Sequence, residues 1–340
     1  MAITYNKVDI RGVAAEPIIE EILFENNTIN QGLVTFETDI KAETVFTETN
    51  ATATFQAYTC GVPTSAGSLT AFDSVVTPVK GLFYQEFCPD TLRFSRFKRD
   101  MKPGAWNTAS SEFERIVIGG IYAKQISLAL EREFWVGVKA ATQTAIAALT
   151  PGAGQAAVGA AEQAQVAALT ASQNDGILAK MIYNDSNAAQ TAALGTRVKV
   201  AGTTITASNI KAEYDKIYAA IPAVVLNGTE QPLIYAPYSH KQLIVQANNV
   251  TTDYTKPFNA NDSATEIYFN GLKIVFVPLP EKVVIAALKS HLVWATDLVS
   301  DINTMKIDQI ATNRDDMFIK NEMTIASHVA NQKFNVLYAG

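Results

Sequence analysis

The side chains able to do chemistry are few and scattered. Three histidines, His240, His291 and His328, stand far apart, and none falls at a metal-ligand spacing from another histidine or a cysteine. Isolated imidazoles of this kind are expected to fill ordinary structural roles. Asp297 and Asp301 flank Leu298-Val299-Ser300, and Asp315-Asp316 follow Asn313-Arg314. Paired carboxylates can bind a cation or trade protons. Asp also bonds neighbouring backbone amides in turns, and turns are expected at both places. No Gly-x-Ser-x-Gly elbow and no phosphate-binding glycine loop occurs. A Ser-His-Asp site is defined in space, and nothing in the order of residues singles one out. No residue is therefore assigned a catalytic, cofactor-binding or metal-binding role.

Two further groups could carry chemistry. Cys60 and Cys88 are the only cysteines, too few for a disulfide framework, and are expected to be small buried hydrophobes in a reducing compartment. Arg93, Arg96, Lys98, Arg99 and Lys102 interleave with the aromatic cluster Phe83, Tyr84, Phe87, Phe94, Phe97 and Trp106. Such a mixture can grip nucleic acid by charge and stacking. The chain as a whole carries a formal charge of -6, which favours a solvated face or ion pairs between subunits for the cations. The aromatics are expected to form core.

The elements that must hold these residues come from a 340-residue chain that is 48% hydrophobic and 18% charged, enough for a sizeable packed core. No secretory signal opens it, and no apolar run reaches the roughly 20 residues of a membrane helix, so a cytoplasmic protein without membrane contact is expected. Residues 1–30 read as an extended arm with one short helix at Pro17–Leu23. Residues 31–78 alternate apolar and polar side chains, as in Val34–Ile40 and Ala51–Tyr58, and are rich in threonine. They predict a long two-stranded excursion that buries little of its own and needs contact with another chain. Ser111-Glu112-Phe113-Glu114 is a capping box opening a helix that runs to about Ala148. That helix would be on the order of 50 Å long. Phe113, Ile116, Val117 and Ile121 mark one apolar face, and Ile118, Tyr122, Ile126 and Leu130 a second.

Residues 140–195 are rich in Ala, Gln and Thr and read as helical pieces joined by turns, with no repeat of 20 to 50 residues standing out. Val198–Val200 and Thr204–Thr206 predict a hairpin around Ala201-Gly202. Ser208 predicts the cap of a helix carrying Ile210, Tyr214, Ile217 and Tyr218 and ended by Pro222. Strands are expected at Pro232–Ala236, Glu266–Phe269, Leu272–Val277 and Val283–Ala287, with a helix at Lys241–Ala247. Asn270-Gly271 is the strongest hairpin signal in the chain. Long strands are expected at Thr304–Ile310 and Asp316–Tyr338.

Four stretches resemble the major capsid proteins of tailed, double-stranded DNA bacteriophages, especially those infecting Bacteroidetes. They are Lys289–Asp301, Cys88–Arg93 before Pro103-Gly104, Leu130–Gly137, and Asn209–Pro222. The resemblance implies an α+β fold of the Hong Kong 97 type. Its parts would be an N-terminal arm (1–30), an extended E-loop hairpin (31–78), a peripheral domain with a long spine helix (79–140), an axial domain (141–295) and C-terminal strands returning to the peripheral domain (296–340). It also implies a structural protein and no enzyme. Pentamers and hexamers would close into an icosahedral head that encloses DNA without sequence-specific binding. The shell would assemble in the host cytoplasm and end in the virion, with a separate scaffolding protein, a portal and decoration proteins as partners. Lys41 is the one lysine in the proposed hairpin, so cross-linking between subunits has a single candidate there. An encapsulin-like bacterial compartment and a cytosolic α+β hydrolase are the competing readings.

Overall fold

A computed structural model describes residues 9–10, 27–58, 60–62, 64–87, 122–152, 154–155, 157–186, 195–250, 258, 266–297, 305–310 and 316–340. The helix at Pro17–Leu23, the capping box at Ser111–Glu114, the cluster Arg93 to Lys102, Cys88, Asp301 and Asp315 lie outside them. In chain order the strands are β1 (Asp9–Ile10), β2 (Thr35–Glu37), β3 (Thr44–Ala53), β4 (Gly67–Val76), β5 (Val79–Phe87), β6 (Val198–Ala201) and β7 (Leu233–Pro237). There follow β8 (Ile267–Phe269), β9 (Leu272–Val277), β10 (Val283–Ala287), β11 (Leu292–Thr296), β12 (Met305–Gln309), β13 (Met317–Val329) and β14 (Val336–Ala339). The α-helices are α1 (Asn27–Asn30), α2 (Ala123–Val136), α3 (Ala140–Ala147), α4 (Ala160–Ala167), α5 (Ile177–Ser186), α6 (Ile210–Ala220), α7 (Ala223–Leu226) and α8 (Tyr238–Val250). The chain is α+β.

It divides into two compact units, one of Met1–Lys41, Pro78–Arg132 and Ala295–Ala326, the other of Ala42–Thr77, Glu133–Trp294 and Ser327–Gly340. The first is built on a six-stranded sheet in the order β1-β12-β13-β11-β2, with β5 also paired to β13. Along β13 the side chains of Ile319, Asn321 and Met323 are buried while those between them are half-exposed. This is the period-two pattern of a sheet with one covered face. Glu131, within α2, accepts bonds from the Thr28 amide at 3.1 Å and its hydroxyl at 2.5 Å. Burial pushes the Glu131 carboxyl up, and those two bonds oppose the shift.

The second unit holds the sheet β6-β14-β10-β7-β9-β8. Its central strands β7 and β10 read as continuous apolar runs because helices and loops cover both faces. Ile210, Tyr214 and Ile217 of α6, Ile244 of α8, and Phe258, Phe269 and Tyr338 fill one cluster against it. Asn270 and Gly271 both take positive φ, 47° and 86°, as the two-residue turn between β8 and β9 requires.

Four expectations are corrected. The helix expected to run to Ala148 stops at Val136, because a side chain at Gly137 would overlap the Glu133 and Asn174 carbonyls. Of the two apolar faces expected on it, Phe113, Ile116, Val117, Ile118 and Ile121 lie outside the described residues, while Ile126 and Leu130 are buried with Phe134 and Trp135 and Leu128 is exposed. Thr204–Thr206 is no strand: β6 pairs in parallel with β14 instead, and the Asn209 side chain holds the Thr206 amide at 2.6 Å and the Thr204 carbonyl at 3.0 Å. Asn209, not Ser208, is the residue before α6. Cys60 is exposed, because it sits beyond the end of β3 in the hairpin loop.

The ends of the chain also part company. β13 pairs with β12 and β5, but β14 pairs with β10 and β6 in the other sheet. The turn between them, with Asn331 at φ 47°, redirects the chain.

Candidate assembly surface

His240, His291 and Glu213 are engaged by their own fold. His240 is buried, with Nδ1 3.1 Å from the Tyr214 hydroxyl and Nε2 2.9 Å from the Glu281 carbonyl. Burial lowers its pKa, the carbonyl opposing. His291 is buried, 3.0 Å from the Asn335 amide oxygen. The Tyr338 hydroxyl donates towards the Thr203 carbonyl at 2.8 Å and Glu213 at 2.9 Å. Burial pushes the Glu213 carboxyl up, but the bonds from Lys216, Tyr338 and Thr203 outweigh it, and its pKa ends below the usual range. Asp297 accepts from the Asp39 amide through its backbone carbonyl, and the Asp316 carbonyl accepts from Ile310, closing a turn. No group of three metal-ligating side chains gathers among the described residues.

What stands out is surface. β3 and β4 form a two-stranded ribbon of ten antiparallel pairs, from Thr44 opposite Val76 to Ala53 opposite Gly67. Short polar cross-strand pairs set the register: Thr47 donates to Asp73 at 2.7 Å, and Thr52 and Ser68 share a bond of 2.8 Å. Gly67, at φ 133°, lets the backbone pass the Thr52 carbonyl where a Cβ would overlap it. Beyond the strands the tip carries Phe55, Tyr58 and Val62, which are 103%, 92% and 96% exposed. Val45, Leu69 and Val75 add exposed apolar area along the ribbon.

Only the root is buried. Ser74 and Val76 are covered, and Glu48, itself buried, accepts from the Asn331 amide at 2.8 Å and lies 3.4 Å from His328 Nε2. The Phe46 ring stacks on His328 at 5.3 Å. The ribbon is thus tied at one end to the last residues of β13 and the turn after it, and its tip is exposed at the other. A two-stranded ribbon is marginal alone in water, and large exposed apolar groups mark an interaction site. Sequence alternation pointed to a ribbon within residues 31–78 but misplaced its strands: Val34–Ile40 supplies β2 of the sheet around β13, and Ala51–Tyr58 is strand only to Ala53. Alternation also missed Glu48 and His328, 280 positions apart in the chain, for which no local signal exists.

No protein-family model and no curated protein matches the chain. Solved structures do. The chain is 12% identical to one in the satellite phage P4 procapsid including size determination (Sid) protein, with a TM-score of 0.57, covering 100% of this chain and 92% of that one. Against the capsid of the native GTA particle computed with C5 symmetry, the identity is 11% and the TM-score 0.52, over 100% and 96% of the two chains. This chain has the fold of viral capsid shells. A chain of Mycobacterium phage Ogopogo is similar too, at 11% identity and a TM-score of 0.50, over 99% and 95%. At these identities the capsid fold is kept while almost every side chain differs. Packing of apolar groups of about the right size suffices to specify a fold without particular residues.

Proposed function

We propose that the chain is the major capsid protein of a tailed, double-stranded DNA bacteriophage. It would build pentamers and hexamers of an icosahedral head and would carry no catalytic site. The observation that carries this reading is the β3–β4 ribbon, whose apolar tip has almost all of its surface open to solvent in a chain with the capsid fold. An apolar tip held away from its own unit is completed by a neighbouring copy, as expected where an assembly closes by repetition of one contact.

In this reading β3–β4 is the E-loop and residues 1–30 are the N-terminal arm. α2 is the described part of the spine helix of the peripheral domain. The sheet containing β7 and β10 is the axial domain, which includes β14. Many weak overlaps of ribbons and arms would sum to a strong shell. The net charge of -6 suits a container that encloses DNA without gripping it. A separate scaffolding protein, a portal and decoration proteins are the partners this role requires, and the virion is its final location.

The test is assembly. The purified full chain, concentrated with and without a crowding agent, is expected to form rings and closed shells in negative-stain electron microscopy. A particle of 36.8 kDa at every concentration, with no ring or shell, overturns the reading. Closed shells that hold protein cargo and no DNA, when isolated from the native source, would favour a bacterial compartment.

A further inference from the structure

The alanine-rich connection between α2 and α5 hides a repeat. Val138–Thr150 reads VKAATQTAIAALT, and Val158–Thr170 reads VGAAEQAQVAALT. Val, Ala-Ala, Gln and the closing Ala-Ala-Leu-Thr recur at a constant separation of 20 positions, so the expectation that no repeat of this period exists is corrected. Composition alone could produce matching alanines. It would not produce matching bonds.

The bonds match under exchange of the two halves. Gln143 Nε2 donates to the carbonyls of Val166, Ala167 and Leu169, at 3.0, 3.4 and 2.9 Å. Gln163 Nε2 donates to those of Ile146, Ala147 and Leu149, at 2.9, 2.9 and 3.1 Å. Each acceptor is the other's counterpart 20 positions away. The backbone repeats the exchange: Gly152 N donates to the Val158 carbonyl at 2.9 Å, and Ser172 N to the Val138 carbonyl at 2.7 Å. Ile146 and Val166, also counterparts, are both fully buried.

We infer that residues 138–172 are a tandem duplication that folds as one approximately two-fold symmetric clamp, in which each helix is capped at its C-terminal end by the glutamine of the other. The physical need is plain. α3 and α4 have eight residues each, too few to be stable alone, and the last carbonyls of a helix lack partners within it. Neither helix has a basic residue in its last turn to take those carbonyls. The amide group of glutamine supplies donors without adding charge.

The clamp is a closed excursion. Its two ends meet where Gly176 N donates to the Gly137 carbonyl at 2.8 Å, and a side chain at Gly176 would overlap the Phe134 carbonyl. It therefore staples the turn between α2 and α5. The halves have diverged at one equivalent buried position, which anchors each to a different group. Thr142 donates to Asp175 at 2.9 Å, and Glu162 pairs with Arg197 of β6. Lys199 secures the link between the halves by donating to the carbonyls of Gly152, Gly154 and Ala157. This inference stands apart from the assembly reading, since it concerns a device closed within one chain.

The test is crosswise. In the full chain, Gln143→Met and Gln163→Met keep side-chain volume and remove the donors. Hydrogen exchange is read at the amides of Ala148 and Leu149 and at those of Ala168 and Leu169. Gln143→Met is expected to speed exchange about 5-fold at Ala168 and Leu169, on the helix it does not belong to, and Gln163→Met to do the same at Ala148 and Leu149. Exchange that rises only in the substituted helix, or an effect from one variant and none from the other, overturns the clamp. Should either Met variant fail to fold, Gln143→Glu and Gln163→Glu give the same crosswise readout, because an ionised carboxylate cannot donate.

Discussion

Lys180 shows how one buried residue couples the fold to pH. It lies in α5, with Nζ donating to the Ser327 carbonyl at 2.5 Å. Burial lowers its pKa from 10.5 to about 8, Asp175 opposing and Lys139 adding. Between those pH values the unfolded chain binds more protons than the folded one, so stability rises as pH climbs from about 8 towards 10.5. Below 8 the cost of the buried charge is fully present. Denaturant midpoints measured from pH 7 to 10 are expected to rise in the wild type by comparison with Lys180→Met, whose profile lacks this component. The buried pair Arg197–Glu162, 0% and 2% exposed, makes the opposite point. Burial lowers the Arg197 pKa while Glu162 holds it up. Arg197→Met takes the guanidinium from the buried Glu162 carboxylate, leaving it the Gly159 amide, and is expected to cost about 3–5 kcal/mol. The double change with Glu162→Met should recover most of that in urea unfolding.

At the scale of elements, the ribbon's direction depends on its root. Ten cross-strand pairs hold β3 to β4, but Glu48 and Phe46 hold the pair to its unit through Asn331 and His328. Glu48→Ala is expected to leave the sheet around β10 unaffected and to speed amide exchange across Thr44–Val76 on the order of 10-fold. Equal loosening of β10 and β14 would show that Glu48 supports the whole unit instead. β6 makes a second case. Gly202 sits where a Cβ would overlap the Tyr338 ring, so Gly202→Ala displaces the hydroxyl from Thr203 and Glu213. A loss of about 1–3 kcal/mol is expected in thermal unfolding.

For the whole molecule, the capsid fold and the exposed tip make separable demands. Folding needs the two sheets and their cores. In the proposed reading, assembly rests on Phe55, Tyr58 and Val62, which are almost fully exposed in their own chain. Replacing all three by serine is expected to leave the melting temperature within about 2 °C, as for exposed sites generally. Shells should be lost in electron microscopy. A triple variant that still closes shells would show that the tip is not the contact.

Patterns that repeat within a few residues were legible in the chain alone. The threonine-rich alternation of residues 31–78 announced a ribbon but not which segments pair in it, Asn270-Gly271 announced its hairpin, and the apolar runs at β7 and β10 announced buried strands. The α+β class and the capsid fold followed from such signals together with the resemblance of four stretches. Tertiary structure alone decided where α2 ends, because Gly137 is needed by the close passage of the chain at Asn174, far along the sequence. It decided that β6 pairs with β14 and not with Thr204–Thr206, since a parallel partner leaves no mark on local pattern. It alone brought Glu48 to His328 and each glutamine to the other's helix. Local periodicity records which face of an element is buried, and only the folded backbone selects what lies against that face.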